Sequence, residues 1–484
     1  MHHLGYNIIA ALKGKQVPVS WDPVGAINPH LMLLGMSGTG KTHTLRQILK
    51  SFSNLETPPR IHVFDVHGDI EIEHASTVLY SETSGYGINP LEVNPDPHFG
   101  GIRKRIESFI RTVEKSTTAF GVKQLAIIRD LMTELYEQFG FLADDPNSWN
   151  LNNPAGNNNG VIYLEVPYEQ RDKAKRLGAR WNPAVKSWYI PASRYRGEIA
   201  TLFDQKSIDQ IKRRHPTLSD LVNMTYNRME ESFIGLGRES MRAVQDLHKA
   251  SARINRMIIK NHGKQLDDDE IEKLDKAKRA VMDAVERYLD QNPTSKTIRE
   301  AMLYSSYDVI TGVYQRLKGI ESTGIFKDQR PPFDMSKPIL RHNIKPLSRQ
   351  EQKLFVLFTL ERLFERAVQQ GPADRIKTVI VLDEAARYFD KDPENPINII
   401  ATEGRKFGIS LICAAQSPEH FSQDFLSSVA SKIVLGIDET FWDVSRKKLN
   451  LSKDKLQKVQ MHRNLLFQTK MKGEAKAEWI SVKL

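Results

Sequence analysis

The sequence has a single cysteine, Cys413, which lies within an apolar run. One thiol can form neither a disulfide within the chain nor a metal site built from cysteines, and this scarcity fits a reducing compartment. No apolar stretch reaches the ~18 residues that a membrane-spanning helix needs. The first residues also lack the basic segment and long apolar core of a secretion signal. These absences predict a cytoplasmic protein with no membrane span.

Acidic side chains are outnumbered by basic ones, with 59 Asp and Glu against 69 Lys and Arg, which gives a net charge of +10. This excess favours a polyanionic partner such as nucleic acid, but a generally basic surface without such a partner has the same composition. Hydrophobic residues make up 40% of the chain, enough for a sizeable core. The length of 484 residues suggests two or three domains.

Residues 35–42, GMSGTGKT, fit the phosphate-binding pattern G-x-x-x-x-G-K-[S/T]. The motif follows an apolar run at residues 31–34, typical of a buried parallel strand, and precedes a predicted helix over residues 42–52. Glycines allow the backbone N–H groups to face phosphates, and the start of the helix adds a favourable dipole. We expect Lys41 to hold the β- and γ-phosphates of ATP and Thr42 to ligate Mg²⁺. The predicted nucleotide contacts are Gly35, Ser37, Gly38, Thr39, Gly40, Lys41, Thr42 and His43.

A second motif is the apolar run at residues 379–382, followed by Asp383 and Glu384. The carboxyl end of a strand is where ligands bind in an open α/β sheet. We expect Asp383 to hold Mg²⁺, largely through water, and Glu384 to orient and deprotonate the attacking water. Because Lys41 and the acid pair must meet at one nucleotide, the intervening segment must leave the sheet and return.

Two further polar residues are candidates for the same site. Gln416 follows the predicted strand at residues 409–415, and its amide either senses the γ-phosphate and positions water or is a loop amide with a backbone partner. Arg405 lies near the end of a predicted helix. It either complements the helix dipole or reaches into a neighbouring subunit as a catalytic arginine finger.

These motifs, in this order, resemble the HerA/FtsK superfamily, with most likeness to HerA-type ATPases, the TraD- and TraG-like coupling proteins of conjugation and TraC-like secretion ATPases. The resemblance covers roughly residues 15–120 and 340–484. It rests on the phosphate loop, Asp65 with Gly68 after it, Ile88-Asn89-Pro90-Leu91, Asp383-Glu384, Glu403-Gly404-Arg405-Lys406-Phe407-Gly408 and Ala414-Ala415-Gln416-Ser417-Pro418.

The resemblance implies a RecA-like domain, a hexameric ring and movement of DNA through the ring at the expense of ATP and Mg²⁺. It implies the roles given above for Lys41, Thr42, Asp383, Glu384 and Gln416, and it places Arg405 where such rings have trans-acting arginines. The implied process is conjugation or another mobile-element process, with a relaxase, a nuclease or a secretion system as partner. Two alternatives stay open: a type IV secretion-type ATPase that acts on proteins, and an ATPase of an anti-phage defence system.

The predicted organisation is an α/β, RecA-like domain interrupted by a mostly helical insertion and a small α+β module. The expected parts are residues 1–140 and 326–484 for the ATPase domain, 160–203 for the module and 207–325 for the helical insertion. The ATPase part begins with a hairpin that pairs a strand at residues 7–10 with one at residues 17–21. Further strands are predicted at residues 61–65, 378–382, 409–415, 432–436, 464–469 and 479–484.

The module at residues 161–191 resembles a small domain of unknown function found in plasmid-encoded primases. The resemblance rests on Tyr163-Leu164-Glu165-Val166-Pro167-Tyr168, Asp172-Lys173-Ala174-Lys175, Leu177-Gly178-Ala179-Arg180-Trp181 and Trp188-Tyr189-Ile190-Pro191. Its basic residues and two tryptophans either bind single-stranded nucleic acid by charge and stacking, or the tryptophans form the core of a very small domain. The charged helices of the insertion favour a solvated hairpin for contact with a partner.

Overall fold

The computed structural model describes residues 2–115, 119–151, 161–182, 187–191, 194–204, 214–234, 238–260, 268–291 and 307–484. Two compact units are present. The first comprises Met1–Pro90, Arg111–Thr118 and Thr323–Leu484, and the second comprises Leu91–Ile110 and Ala119–Ser322. The chain therefore leaves the first unit and returns to it, as one domain interrupted by an insertion.

Strands of both units, in chain order, are β1 (His2–Asn7), β2 (Pro18–Trp21), β3 (Leu31–Gly35), β4 (Arg60–Asp65), β5 (Ser76–Leu79), β6 (Val161–Leu164), β7 (Arg180–Asn182), β8 (Ser187–Pro191), β9 (Ile339–Asn343), β10 (Thr378–Leu382), β11 (Ile409–Ala415), β12 (Ser431–Gly436), β13 (Asn464–Thr469) and β14 (Ile480–Lys483). The α-helices are α1 (Ile8–Leu12), α2 (Lys41–Ser53), α3 (Ile102–Glu114), α4 (Val122–Gln138), α5 (Arg171–Arg176), α6 (Glu198–Leu202), α7 (Leu218–Ile234), α8 (Arg238–Lys260), α9 (Asp268–Gln291), α10 (Tyr307–Ser322), α11 (Arg349–Gln369), α12 (Pro396–Glu403), α13 (Gln423–Ser428), α14 (Trp442–Leu449) and α15 (Lys453–Gln457).

One large sheet organises the first unit, with the strand order β2-β1-β14-β13-β12-β3-β11-β10-β4-β9-β5. The strands from β12 to β5 run parallel to their neighbours, and the strands from β13 to β2 continue the sheet antiparallel. β11 lies between β3, which precedes the phosphate loop, and β10, which precedes the acid pair. Both motifs therefore lie at the carboxyl edge of one sheet. This order is RecA-like, and it confirms the predicted fold class.

Buried apolar strands and amphipathic helices hold this arrangement together. All five residues of β3 are buried, as expected for a parallel strand covered on both faces. On α2 the buried residues are Leu45, Ile48, Leu49 and Phe52, spaced by three or four so that they share one helix face. Burial of each such side chain contributes about 1.5–3 kcal/mol. This packing fixes the helix that begins at the phosphate loop.

The N-terminal hairpin forms, but the prediction of its first strand at residues 7–10 was wrong. β1 ends at Asn7 and pairs antiparallel with β2. The side-chain oxygen of Asn7 accepts hydrogen bonds from the backbone N–H groups of Ile9 and Ala10, at 2.9 and 3.2 Å. This is the geometry of a helix N-cap, so the apolar residues that follow belong to α1 and not to the strand.

Helices and a small three-stranded sheet make up the second unit. α4, α7 and α10 pack against one another, and α8 packs along α9. The small sheet has the order β6-β8-β7 and is antiparallel. Its core is formed by Leu164, Ala174, Ala179, Ile190, Ile199 and Phe203. The domain boundaries expected near residues 160 and 207 lie outside the described residues.

Among the described helices, none is both long enough and apolar enough to cross a lipid bilayer.

Candidate active site

The phosphate loop joins β3 to α2 with two glycines in the left-handed region, Gly38 at φ 81° and Gly40 at φ 93°. A side chain is strained at such φ values, which explains glycine at both positions. A Cβ at Gly35 would lie 2.4 Å from Oγ1 of Thr39. That hydroxyl donates to the carbonyl of Met36 at 2.8 Å. The loop is therefore compact and held by its own contacts, and α2 begins directly after it.

Lys41 is the first residue of α2, and its side chain folds back over the loop. Its Nζ donates to the carbonyls of Gly35 and Met36, at 2.6 and 3.1 Å. Burial lowers the pKa of Lys41, while the carboxylates of Glu384, Asp383 and Asp69 act in the opposite direction. The ammonium group therefore lies within the field of the acid pair, more than 340 positions away in the sequence.

The acid pair lies directly after β10. Asp383 is buried, and this burial raises the pKa of its carboxyl to about 6. His67 lowers that pKa, whereas the nearby carboxylates of Glu384, Asp65 and Asp69 raise it. Each added negative charge makes ionisation of Asp383 harder. A cation at this position would favour the ionised form.

Glu384 has a left-handed backbone, with φ 55° and ψ 46°. Two side chains from neighbouring strand ends approach its carboxylate: Nε2 of Gln416 donates to Oε1 at 3.4 Å, and Nε2 of His67 lies 3.8 Å from the same oxygen. The carboxylate therefore lies between the ends of β4, β10 and β11. Its position suits a group that must contact a water molecule beside the terminal phosphate.

Asp65 ends β4, and its carboxylate is already saturated with partners. It accepts from Nε and an Nη of Arg341, at 2.8 and 2.6 Å. It also accepts from the backbone N–H groups of Gly68 and Ile70, at 2.7 and 3.1 Å. Asp65 is fully buried and Arg341 nearly so. This buried pair fixes the loop after β4, which carries His67 and Asp69.

Oxygen donors converge at the place where a magnesium ion is expected. One carboxylate oxygen from each of Asp65, Asp69 and Asp383 lies within 4.8 Å of the others. Because Arg341 and two N–H groups occupy Asp65, the carboxylates that remain available are those of Asp69 and Asp383. Carboxylate and hydroxyl oxygens are the ligands that Mg²⁺ prefers. The carboxylates of Asp69 and Asp383 fit that ion, and Thr42, in the first turn of α2, lies at the same edge of the sheet.

The structure brings together the phosphate loop, Lys41, Thr42, Asp383, Glu384 and Gln416 at one edge of the sheet. Ser37 and His43 are exposed within the same loop and first helical turn. Arg405 is not part of this cluster. It is exposed in the short turn Gly404–Phe407 before β11, whereas Gln416 follows the other end of that strand. Arg405 therefore lies at the opposite edge of the sheet from the loop of its own chain.

Sequence reasoning assigned no role to three residues at this site. His67 and Asp69 follow β4, and His462 lies near the phosphate loop, since a Cβ at Gly40 would lie 3.7 Å from its Nδ1. The acid at the end of β4 was a usable signal for the first two, because the ends of adjacent parallel strands meet at one edge. No comparable signal marks His462, which reaches the loop through tertiary packing.

Two stretches of the chain match known protein families. Residues 4–137 match the family model described as "Helicase HerA, central domain". Residues 162–201 match a model described as a domain of unknown function, DUF5710.

Curated relatives match only a short stretch of the chain. Two DNA primases named TraC from Escherichia coli are 55% identical over 29 residues and 50% identical over 30 residues. Each match covers 6% of this chain and 2% or 3% of the primase. The chain therefore spans a very small part of the length of these relatives.

Solved structures match over far more of the chain. VirB4 of Thermoanaerobacter pseudethanolicus superposes with a TM-score of 0.54 and 15% identity, covering 100% of this chain and 95% of that one. At such low identity, this likeness shows a shared fold. The bacterial conjugative coupling protein TrwBΔN70 has a TM-score of 0.43 and 10% identity, covering 99% and 88% of the two chains.

The phosphate loop, the acid pair after β10 and the RecA-like strand order form one site, and the family match covers the part of the chain that carries the loop. These findings show a HerA-like P-loop ATPase site, with the likeness to HerA covering residues 4–137.

Proposed function

We propose that this ATPase is a DNA-translocating motor that works as a hexameric ring in conjugation or another mobile-element process. The observation that carries the proposal is the convergence of Lys41, Asp383, Glu384 and Gln416 at one edge of a RecA-like sheet. The match of residues 4–137 to the central domain of a helicase favours DNA as the substrate, and so does the net charge of +10.

In this proposal each residue acts on the terminal phosphoryl group of ATP. The ammonium of Lys41 leaves the loop carbonyls and pairs with the β- and γ-phosphates. Thr42, Asp383 and Asp69 would hold Mg²⁺, which would supply positive charge to offset the negative charge of the phosphate oxygens. Glu384 orients the attacking water and accepts its proton. Gln416 follows β11 and donates a hydrogen bond to the carboxylate of Glu384, which helps to hold it in position.

Arg405 has a separate part in the proposal. It is exposed at the edge of the sheet opposite to the phosphate loop, so it cannot act on a nucleotide bound to its own chain. In a closed ring of identical subunits, one surface of each subunit faces a different surface of the next. In the proposed ring, an exposed arginine at that opposite edge would reach a neighbour's γ-phosphate, where such a residue stabilises charge in the transition state.

The DNA substrate is tested by steady-state ATP hydrolysis with and without single-stranded and duplex DNA. We expect DNA to raise the rate and DNA affinity to fall steeply with salt, because bound phosphates release counterions. A rate unaffected by any DNA, together with no binding at low salt, would contradict the DNA motor and favour an ATPase that acts on proteins. Lys41→Ala is the control, since its turnover should stay near zero with or without DNA.

The ring is tested by particle images of the protein with a non-hydrolysable ATP analogue and DNA. Sixfold particles with density in the central channel are expected. Monomers under conditions in which hydrolysis proceeds at full rate would contradict the ring.

A further inference from the structure

A cleft of about 1140 Å³ lies within the second unit, and none of its lining residues is assigned to ATP hydrolysis. Residues of α4, α5, α7 and the hairpin of β7 and β8 line it. Its volume is large compared with typical small-molecule pockets, which range from about 300 to 1,000 Å³. The cleft therefore has room for more than one small ligand group.

Positive charge dominates the lining, with six Lys and Arg side chains against four Asp and Glu. Two of the acids are already neutralised. Both carboxylate oxygens of Glu134 accept from Arg228, at 2.8 and 2.7 Å, and Asp220 accepts two bonds from Arg214, at 2.7 and 3.0 Å.

Four of the basic side chains have no carboxylate partner in the part of the chain that the structure describes. These are Lys175, Arg180, Arg194 and Arg242, and all four are exposed. Two of the four acids are hydrogen-bonded to arginines, whereas four of the six basic side chains are not paired with a carboxylate among the described residues. The cleft therefore has an excess of positive charge that attracts anions.

Trp181 supplies an aromatic surface in the same cleft. Its side chain is 49% exposed, and it is not part of the apolar core of the module. Trp188 packs partly against that core and meets Trp181 edge to face, with ring centroids 5.7 Å apart. One tryptophan therefore anchors the other, which presents a large part of its ring to the cleft. A half-exposed tryptophan that contributes nothing to the core marks a binding surface.

We propose that this cleft binds single-stranded nucleic acid. The uncommitted cations, Lys175, Arg180, Arg194 and Arg242, contact backbone phosphates, and Trp181 stacks against an unpaired base. Cations beside an exposed aromatic ring are the recurring chemistry of single-strand binding without sequence preference. A duplex fits poorly because its bases are already stacked and paired, so their faces are not available to the indole ring. The proposal does not depend on the DNA motor, since the cleft needs no nucleotide and no ring.

The test is fluorescence anisotropy of the full chain, without ATP, using a labelled oligo-dT of about 15 nucleotides. A duplex of equal length and an oligo-rU serve as comparisons. Trp181→Ala should weaken binding of oligo-dT by about 5- to 150-fold, which is the loss of one stacked base at about 1–3 kcal/mol. Trp181→Phe keeps an aromatic face and should retain most of the affinity.

Phe99→Ala is the matched control, because Phe99 is an exposed aromatic residue of the same unit outside the cleft. Its affinity for oligo-dT should equal that of the parent. Arg242→Gln should weaken binding and reduce the slope of log affinity against log salt by about 0.7, the value for one phosphate contact on a single strand. Tight binding of oligo-rU would support a site for single strands with either sugar.

Unchanged oligo-dT affinity in Trp181→Ala would overturn the proposal, as would tighter binding of the duplex than of the single strand. The outcome is separable from that of the DNA motor. If binding depends on Trp181 but DNA does not stimulate hydrolysis, the cleft proposal is supported and the DNA motor is contradicted. If DNA stimulates hydrolysis equally in the parent and in Trp181→Ala, and the affinity is unchanged, the DNA motor is supported and the cleft proposal is contradicted.

Discussion

The side-chain amide of Gln416 donates a hydrogen bond of 3.4 Å to Oε1 of Glu384. The two residues follow neighbouring parallel strands, β11 and β10. Glu384 is held there with φ 55°, a conformation that costs a residue with a Cβ roughly 1–2 kcal/mol. Such a cost persists only where the surrounding structure fixes the residue, and it is often found at functional sites. The fold of the chain and the hydrogen bond from Gln416 therefore position this carboxylate.

Replacing that carboxylate tests its assigned role. Glu384→Gln keeps the shape of the side chain but removes the proton acceptor, so hydrolysis should fall by about 10²- to 10⁴-fold. ATP binding should remain, since the phosphate loop is unchanged. Single-turnover hydrolysis and binding of a fluorescent ATP analogue measure the two effects. Glu56→Gln, at an exposed position beyond the end of α2 that is far from the phosphate loop, should behave as the parent. Hydrolysis at the normal rate by Glu384→Gln would show that another group activates the water.

Lys41 and Lys50 lie on the same helix, α2, and form a matched pair for the phosphate contact. Lys41 borders the loop, whereas Lys50 is exposed in the last turn. A hydrogen bond to a charged group contributes about 1.5–3 kcal/mol. Lys41→Ala should therefore weaken ATP binding by about 10- to 150-fold, and Lys50→Ala should leave it unchanged. Equilibrium titration with a fluorescent ATP analogue measures both. Equal affinities of the two variants for ATP would show that Lys41 does not contact the bound nucleotide.

The distance between Arg405 and the phosphate loop of its own chain leads to a complementation test. Arg405→Ala should lower turnover by about 10³-fold or more if the residue acts in trans. Lys41→Ala is inactive for a different reason. A mixture of the two should recover activity, because a Lys41→Ala subunit supplies the arginine to a neighbour with an intact loop. Lys406→Ala, at the next exposed position, is the control. Full activity of Arg405→Ala, or no recovery on mixing, would contradict the trans role.

The sequence predicts those strands whose own residues make them apolar. β3, β10 and β11 are buried almost throughout, so an apolar run marks each of them. β9 has the sequence ILRHN and gives no such signal. Its polar residues are buried only because distant residues satisfy them: Arg341 pairs with Asp65, and His342 hydrogen-bonds Tyr80. No local pattern contains that information.

Some residues of the candidate site can likewise be predicted from local sequence, whereas others depend on the order of the strands. The phosphate loop and acid pair are local motifs, and both are readable in the sequence. His67 reaches Glu384 because β4 lies beside β10, and strand order is a property of the whole sheet. Arg405 is a motif residue whose place, at the edge opposite to the loop, follows only from the direction of β11.

The buried pair between Asp65 and Arg341 should dominate the stability of the loop after β4. Arg341→Met leaves an uncompensated buried carboxylate, which costs about 3–5 kcal/mol. Arg446 and Asp443 form an exposed pair in the same unit, and breaking such a pair costs about 0–1 kcal/mol. Urea unfolding of Arg341→Met and Arg446→Met measures both. Similar midpoints for the two variants would show that the buried pair contributes no more than an exposed one.

Two fully or nearly buried histidines, His30 and His342, should make the first unit sensitive to acid. Burial lowers the pKa of His30 to about 4, with a smaller contribution from Arg405. Burial also lowers the pKa of His342 well below its ordinary value, with a smaller contribution from His62. An unfolded histidine titrates near pH 6.5.

Above that pH neither state carries the proton, and the free energy of unfolding does not depend on these two rings. As the pH falls below about 6.5, these two rings take up protons in the unfolded chain but not in the folded one. The free energy of unfolding therefore falls by up to about 1.4 kcal/mol per pH unit for each ring. For His30 this continues down to a pH of about 4, where the folded state also takes up its proton.

His30→Asn isolates one of these contributions. Nδ1 of His30 accepts from the backbone N–H of Leu411 at 3.0 Å, and asparagine offers an amide oxygen for the same bond without a titratable ring. The variant should lose some stability at pH 7, but its free energy of unfolding should fall less steeply than the parent's between about pH 6.5 and 5. His74→Asn, at an 85% exposed side chain, should keep the parent slope. An identical slope in His30→Asn, measured by urea unfolding across this range, would show that His30 accepts its proton as readily in the folded state as in the unfolded chain.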